Sequence, residues 1–143
     1  IFRGKLNQEF FDLNVFTDGI GLYDISNTLQ EKVQSSSISN GLVNLFSVHT
    51  SCSLIIQENA SSCVKDDLLN LFNKIAPMDG GYSHDSEGID DMPAHIKSCL
   101  TQTNLTISIK ENQIVLGTWQ GIFLFEHRTH AQKRTVKLHI FGE

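Results

Sequence analysis

Only two prolines and one tryptophan occur among the 143 residues. With Pro77 and Pro93 as its sole prolines the chain has no proline-rich tract, and it has no low-complexity segment, linker or internal repeat. No apolar run approaches the ~20 residues that cross a bilayer as a helix, which predicts no membrane partner. Nothing in the stretch that follows Ile1 resembles a signal peptide. Charged residues make up 19%, below the usual quarter, which predicts that a partner covers part of the surface. Net charge is −5, and the densest basic stretch, Lys133-Arg134 followed by Lys137, is too small for a nucleic-acid footprint. The three cysteines, Cys52, Cys63 and Cys99, are odd in number and widely spaced. They make no disulfide framework and predict a reducing, cytoplasmic setting. There is no P-loop, Rossmann fingerprint, GxSxG, HExxH or CxxC.

What is present suits one compact domain over residues 1–143: 40% of the residues are hydrophobic, enough for a core. Glu9 to Phe16 alternates as a strand. Tyr23 to Gln34 carries Ile25, Leu29 and Val33 at four-residue steps, an amphipathic helix. Leu42 to Val48 and Ser53 to Gln57 read as strands. Ser61 to Ile75 reads as a second helix, with Ser61 or Ser62 as a cap and Pro77 ending it. Met78 to Asp91 is a polar loop with three glycines, five acids and one His, of a length that is usually functional or disordered. Met92-Pro93 opens a short helix to about Leu100, with Pro93 in the first turn. Leu105 to Ile109 and Gln113 to Leu116 form a hairpin around Lys110-Glu111-Asn112. Trp119 to Phe125 and Thr135 to Phe141 complete the strands. The order is α+β, not a βαβ repeat. Ile122 to Phe125 is apolar on both faces, so this strand is central or covered by another subunit.

The polar residues offer several constellations. His49, Thr50 and Ser51 at a strand end present an imidazole and two hydroxyls to an anion, or simply cap the strand. His95 and Cys99 are spaced i, i+4 on the short helix and could share a metal, or pack. Glu126, Arg128 and His130 share a face if the strand continues, where Arg forks a phosphate and Glu orients it; a cross-strand ion-pair ladder is equally consistent. Cys52 fits a buried structural thiol better than a nucleophile. His139, alternating with Leu138 and Ile140, is a solvent-facing or satisfied histidine.

Several segments taken together, His49-Thr50-Ser51-Cys52, Tyr82-Ser83-His84, Asp90-Asp91-Met92-Pro93-Ala94-His95-Ile96-Lys97, Gly117-Thr118-Trp119-Gln120-Gly121 and Glu126-His127-Arg128, resemble the YjbQ family, an uncharacterised protein family. The similarity spans nearly the whole chain. Cys52 departs from it, standing where a small residue such as Ala is usual. The resemblance implies an α+β fold with an antiparallel β-sandwich-like core, two main helices and one short helix, assembled as a homotrimer. It also implies a secondary thiamine-phosphate-synthase-like activity, which joins a pyrimidine diphosphate to a thiazole phosphate with loss of pyrophosphate. On matching positions, His49, His84 and His95 become candidate ligands of a divalent metal, zinc or magnesium. His49, His95 and Glu126 become candidate catalytic groups. Thr50, Ser51, Asp91, Thr118, Gln120 and Arg128 become candidate contacts to a small phosphorylated ligand; His127 and His130 stand outside the set. This reading places the apolar strand in a trimer contact, with its polar end delivered to a pocket at the subunit boundary. Two functions follow: an enzyme acting on phosphorylated small molecules, or a non-catalytic metabolite- or metal-binding trimer.

Overall fold

A computed structural model describes residues 4–143. Two antiparallel sheets face each other. The larger has five strands in the order β1-β8-β3-β5-β6 and the smaller three in the order β2-β7-β4. The strands of the larger sheet are β1 (Asn7–Asp18), β3 (Gly41–Ser47), β5 (Asn104–Lys110), β6 (Gln113–Ile114) and β8 (Ala131–Gly142); those of the smaller are β2 (Gly21–Asp24), β4 (Cys52–Glu58) and β7 (Gln120–Glu126). Three helices, α1 (Ser26–Ser35), α2 (Ser62–Ile75) and α3 (Asp91–Leu100), complete the fold. The α+β sandwich expected from the sequence is the fold observed.

The core lies between the sheets. Leu13 and Val15 of β1, Val43 and Leu45 of β3, and Val136, Leu138 and Ile140 of β8 meet Leu54, Ile122 and Leu124 of the smaller sheet. The alternation of these residues with exposed ones is the period-two signature of a half-buried strand. Helix α1 closes one end with Leu29 and Val33, both fully buried. It starts later than the sequence predicts, because Tyr23 and Asp24 pair with Leu124 and Phe123 in β2; ladder bonds outcompete the helical period there.

β7 is central within its own sheet, paired to β2 on one side and β4 on the other. Ile122 and Leu124 point into the sandwich, and Phe123 and Phe125 point the opposite way. Phe125 meets the edge of Phe72 from α2 at 5.2 Å, and Lys65 of α2 lies 4.8 Å above the Phe123 ring. The chain therefore covers both faces of β7 itself, and the trimer contact expected for this strand is not what buries it.

Two local devices set the register. Glu111 and Asn112 both take positive φ, 52° and 62°, the two-residue hairpin turn whose twist matches the strands. Gly41 and Gly142 pair directly, and a Cβ on Gly41 would collide with the Phe141 carbonyl oxygen. Gly41→Ala is expected to pry β3 from β8 and cost about 1–3 kcal/mol, read as a lower urea midpoint; an unchanged midpoint would contradict the close approach. Ser61 occupies the N-cap of α2 without a side-chain cap bond, so the expected capping does not occur. No helix among the described residues is long and apolar enough to cross a membrane.

Candidate functional site

Two polar centres form where β7 ends. The first is internal. By strand alternation Glu126 shares the inward face of Ile122 and Leu124, and it is fully buried. Its carboxylate accepts from Arg134 Nε of β8 at 2.7 Å, from Arg134 Nη2, and from Thr17 Oγ1 of β1 at 2.6 Å. The backbone amides of His127 and Arg128 also donate to it. Burial pushes the Arg134 guanidinium down, but its bonds to Glu126 outweigh that and hold it above its ordinary value. Arg134 Nη2 reaches back to Ser51 Oγ at 3.0 Å, and the next amide, Thr135 N–H, donates to His49 Nε2 at 2.9 Å. Glu126 thus braces the loop that carries His49 and Ser51. The inward register of β7 buries this carboxylate and spends it on Arg134, apart from the surface cluster.

The second centre is at the surface. The strand stops at Glu126, and Arg128 turns away toward α3, so Glu126, Arg128 and His130 do not share a strand face. Arg128 donates from Nε to Asp90 Oδ2 at 3.0 Å, from Nη1 to Asp91 Oδ1 at 2.7 Å, and from Nη2 to the Glu87 carbonyl at 3.0 Å. Asp90 holds the N-cap position of α3 yet makes no cap bond; it accepts instead from Arg128 and from the Thr129 amide and hydroxyl. Gly88, with φ 109°, turns the long loop beneath this arginine, a conformation open to Gly and strained for other residues.

Asp91 is 2% exposed. Burial pushes its carboxyl up, but the bond from His84 and the charges of His95 and Arg128 outweigh it and hold it below the usual value. Its other oxygen faces two imidazoles: His84 Nε2 at 2.7 Å and His95 Nε2 at 3.3 Å. His95 Nδ1–H donates to the Thr50 carbonyl at 3.0 Å. That bond commits Nδ1 as a donor and turns Nε2 toward Asp91, the way outer-shell bonds orient metal-ligating histidines. Ligand atoms from His84, Asp91 and His95 lie within 4.8 Å of one another. A cleft of about 270 Å³ lined by His49, Thr50, His95, Ser98, Cys99 and Thr103 opens on one side. A second hollow of about 310 Å³ includes Tyr82, His84 and Gly88.

The expected set therefore divides. His84, Asp91, His95 and Arg128 come together. His49 borders the same cleft as His95 but stands outside the ligand trio: its Nε2 accepts the Thr135 amide, so Nδ1 carries the proton. Burial, then the Arg134 charge, lowers the His49 pKa against a smaller opposing effect of Glu126, and the ring stays a neutral donor. Thr50 and Ser51 serve as acceptors for His95 and Arg134. Thr118 precedes β7 and Gln120 begins it, six residues from Glu126, about 20 Å along a strand; Gln120 Oε1 accepts from the Gly117 amide at 2.8 Å. Neither reaches the cluster. Asp91 was legible in the sequence as a contact to the phosphorylated ligand and not as a metal ligand, although its i, i+4 spacing to His95 is the signal that finds it.

His127, set apart in the sequence, is 1% exposed. Its Nε2 pairs with Ser53 Oγ at 2.8 Å and its ring lies 4.3 Å from that of Phe125. Burial, then the charges of Lys97 and Arg134, push its pKa down to about 3. The unfolded chain takes up this proton near 6.5 and the folded chain only near 3. Stability is therefore expected to fall as pH drops through that window, by up to about 1.4 kcal/mol per pH unit. Urea unfolding at about pH 7, 6, 5 and 4 reads this slope. His127→Gln, which keeps a partner for Ser53, flattens it; an equal slope in the variant would assign the effect elsewhere.

The sequence and the fold of this chain have counterparts in other proteins. The family model described as UPF0047 protein YjbQ-like matches residues 12–143. The UPF0047 protein sll1880 of Synechocystis is 47% identical over 132 residues, covering 92% of this chain and 90% of that protein. A conserved hypothetical protein of Thermus thermophilus, 32% identical, superposes with a TM-score of 0.80 over 90% of this chain and 97% of its own. A YbjQ-like protein of unknown function from Sulfolobus solfataricus, at 21% identity, shares the fold with a TM-score of 0.85 over 96% of this chain and 100% of its own. With nearly its whole length matched by that family model, the chain belongs to the UPF0047, YjbQ-like family.

Proposed function

We propose that the protein is a metal-dependent enzyme acting on small phosphorylated molecules, with the metal held by His84, Asp91 and His95. The observation that carries this is the convergence of two imidazole nitrogens and one carboxylate oxygen within 4.8 Å, beside a cleft. Two imidazoles and one carboxylate suit zinc or another first-row transition metal better than magnesium, which prefers oxygen ligands. A bound divalent ion would supply Lewis-acid polarisation of a phosphoryl oxygen. The chain's own residues do the positioning. Thr50 orients His95, Arg128 orients Asp91, and His49 lines the cleft as a neutral hydrogen-bond donor. The thiamine-phosphate-synthase-like reaction is the concrete instance, as a secondary activity. A homotrimer is the proposed assembly: Phe10, Phe16, Phe46 and Val48, 70%, 73%, 45% and 46% exposed, lie on the outer side of the larger sheet or its rim, and such a patch marks an interface.

A second reading, a non-catalytic metal-binding trimer, is favoured by one observation: Arg128 is spent on Asp90, Asp91 and Glu87, so a phosphate would depend on the metal alone. Calorimetric titration with zinc and manganese, followed by an assay of thiamine phosphate formation, separates the two. Binding of about one ion per chain, with turnover lost in EDTA and restored by metal, is the expected result. Metal binding without turnover supports the second reading, and no metal binding overturns both. Light scattering of the native protein tests the trimer directly, and a monomer would refute it.

A further inference from the structure

The cleft beside His95 is lined by His49, Thr50, His95, Ser98, Cys99 and Thr103, and its walls are almost entirely apolar. No Lys, Arg, Asp or Glu is among these residues. The Ser98 hydroxyl is spent on the Cys52 carbonyl at 2.9 Å, and His95 Nδ1 on the Thr50 carbonyl. His49 differs. The Thr135 amide occupies its Nε2, so Nδ1 holds the proton. Among the described residues that N–H has no protein partner, and it is not sealed from solvent. The cleft volume of about 270 Å³ accepts about ten non-hydrogen atoms, since an apolar cavity of about 150 Å³ holds one benzene.

The surroundings disfavour a charged group in this cleft. The hollow on the His84 side includes Asp79 and Asp85. Arg128 is engaged by Asp90 and Asp91, and Arg134 by Glu126. An anion entering either hollow meets carbon or carboxylates, and a charge moved out of water without a partner is costly. An uncharged molecule with one hydrogen-bond acceptor suits the cleft. His95 belongs both to the ligand trio and to the cleft wall. A molecule seated there has the metal-ligand trio at one wall and the His49 N–H at another.

We propose a further activity at this cleft, the hydrolysis of small uncharged carboxylic esters, with His49 Nδ1–H as the donor to the developing oxyanion. The inference rests on the metal part of the reading above and not on its phosphorylated substrate. A bound divalent ion would supply the Lewis acidity that lets water attack an ester near neutral pH. The water oxygen adds to the carbonyl carbon while the C=O π pair moves to oxygen, where His49 Nδ1–H stabilises it. The C=O bond then reforms and the bond to the alcohol oxygen breaks. One proton of the water ends on that oxygen and the other is lost by the acid, so ester and water give alcohol, carboxylate and one proton. A neutral imidazole held in one tautomer is a competent electrophile for a carbonyl oxygen, and the Thr135 amide holds His49 in that tautomer.

The first arm of the test needs no metal and no turnover. Iodoacetamide labels the intact protein in EDTA, and the rates at Cys99, in the cleft, and Cys63, outside it, are read by peptide mass spectrometry; both thiols are exposed. Acetophenone, an uncharged aryl ketone, is expected to slow Cys99 at least about threefold once it exceeds twice its dissociation constant. Cys63 is expected to keep its rate, and benzoate to protect neither. The second arm follows phenol release from phenyl acetate by the zinc-loaded protein. Turnover is expected to be lost in EDTA and to fall at least about tenfold in kcat/KM for para-acetoxybenzoate, which adds a carboxylate to the same ester. His49→Phe, shown folded by its thermal melt and zinc-loaded by calorimetry, is expected to lose about 100-fold in kcat. Cys99 labelling that acetophenone leaves unchanged, or that benzoate slows equally, overturns the proposal. Zinc binding without phenol release also overturns it and leaves the metal site standing, whereas absence of zinc binding overturns both. An unchanged kcat in His49→Phe removes His49 from the reaction.

Discussion

Replacing Glu126 by Ala is expected to destabilise the protein by about 3–5 kcal/mol, because it leaves the buried Arg134 guanidinium without its counter-ion. For a chain of this size that lowers the melting temperature by roughly 10 °C or more. The loss is larger than that of a surface ion pair, worth about 0–1 kcal/mol, because Glu126 is fully buried and Arg134 is 5% exposed. The damage spreads along named bonds. Arg134 holds Ser51, and Thr135 beside it holds His49, so the loop that carries Thr50 to His95 loses its brace. The double variant Glu126→Leu with Arg134→Met removes both charges together and is expected to recover most of the loss, since an apolar pair of similar volume is often neutral or better. Urea unfolding of the wild type, the single variant and the double variant measures the cycle. A single-variant loss below about 1 kcal/mol would mean that water reaches Arg134.

Asp91→Asn is expected to lower zinc affinity by at least about 100-fold, more than loss of an outer-shell partner would cost. The substitution keeps the size of the side chain but replaces an anionic ligand between two imidazoles with a neutral amide. His95→Ala is expected to do the same, while His49→Ala is expected to spare zinc affinity, since His49 Nε2 is committed to the Thr135 amide. Calorimetry on the three variants checks the division. If His49→Ala abolishes binding and Asp91→Asn does not, the ligand trio is misassigned and the histidines form the site without Asp91. Folding is monitored alongside: loss of the Arg128–Asp91 bond weakens the loop, but Asp90 still holds Arg128 and Thr129. Asp90 and Asp91 both have depressed pKa values. The stability they contribute is present above about pH 4 and is lost as pH falls through their folded values, a window below that of His127.

The elements with strong local patterning could be read directly. Strands β1, β3 and β8 alternate, α1 and α2 carry their apolar stripes, and Pro93 marks the start of α3. β2 escaped, because four residues have no period of their own and form a strand only by pairing with β7. The apolar stretch Ile122 to Phe125 announced burial on both faces but not by what. Only the tertiary structure shows β2 and β4 flanking it, the larger sheet on one side and α2 on the other.

For the candidate site, residue identity was in the sequence and partnership was not. His84, Asp91 and His95 come from one loop and the helix that follows it, so spacing alone brings them near. Helical geometry puts Asp91 and His95 on one face, and a short loop returns His84. His49, Glu126 and Arg128 depend on long-range register. Strand parity sends Glu126 inward to an arginine eight residues later, the break after β7 sends Arg128 out to Asp90 and Asp91, and β8 presents the amide that occupies His49. Composition and periodicity determined the fold class and the candidate chemistry, because both are local properties of the chain. Which imidazoles face Asp91 and which is occupied by a backbone amide, and which carboxylate is spent on an arginine, was decided only by tertiary structure, because each hydrogen-bond acceptor is claimed by whatever donor the packed sheets bring against it.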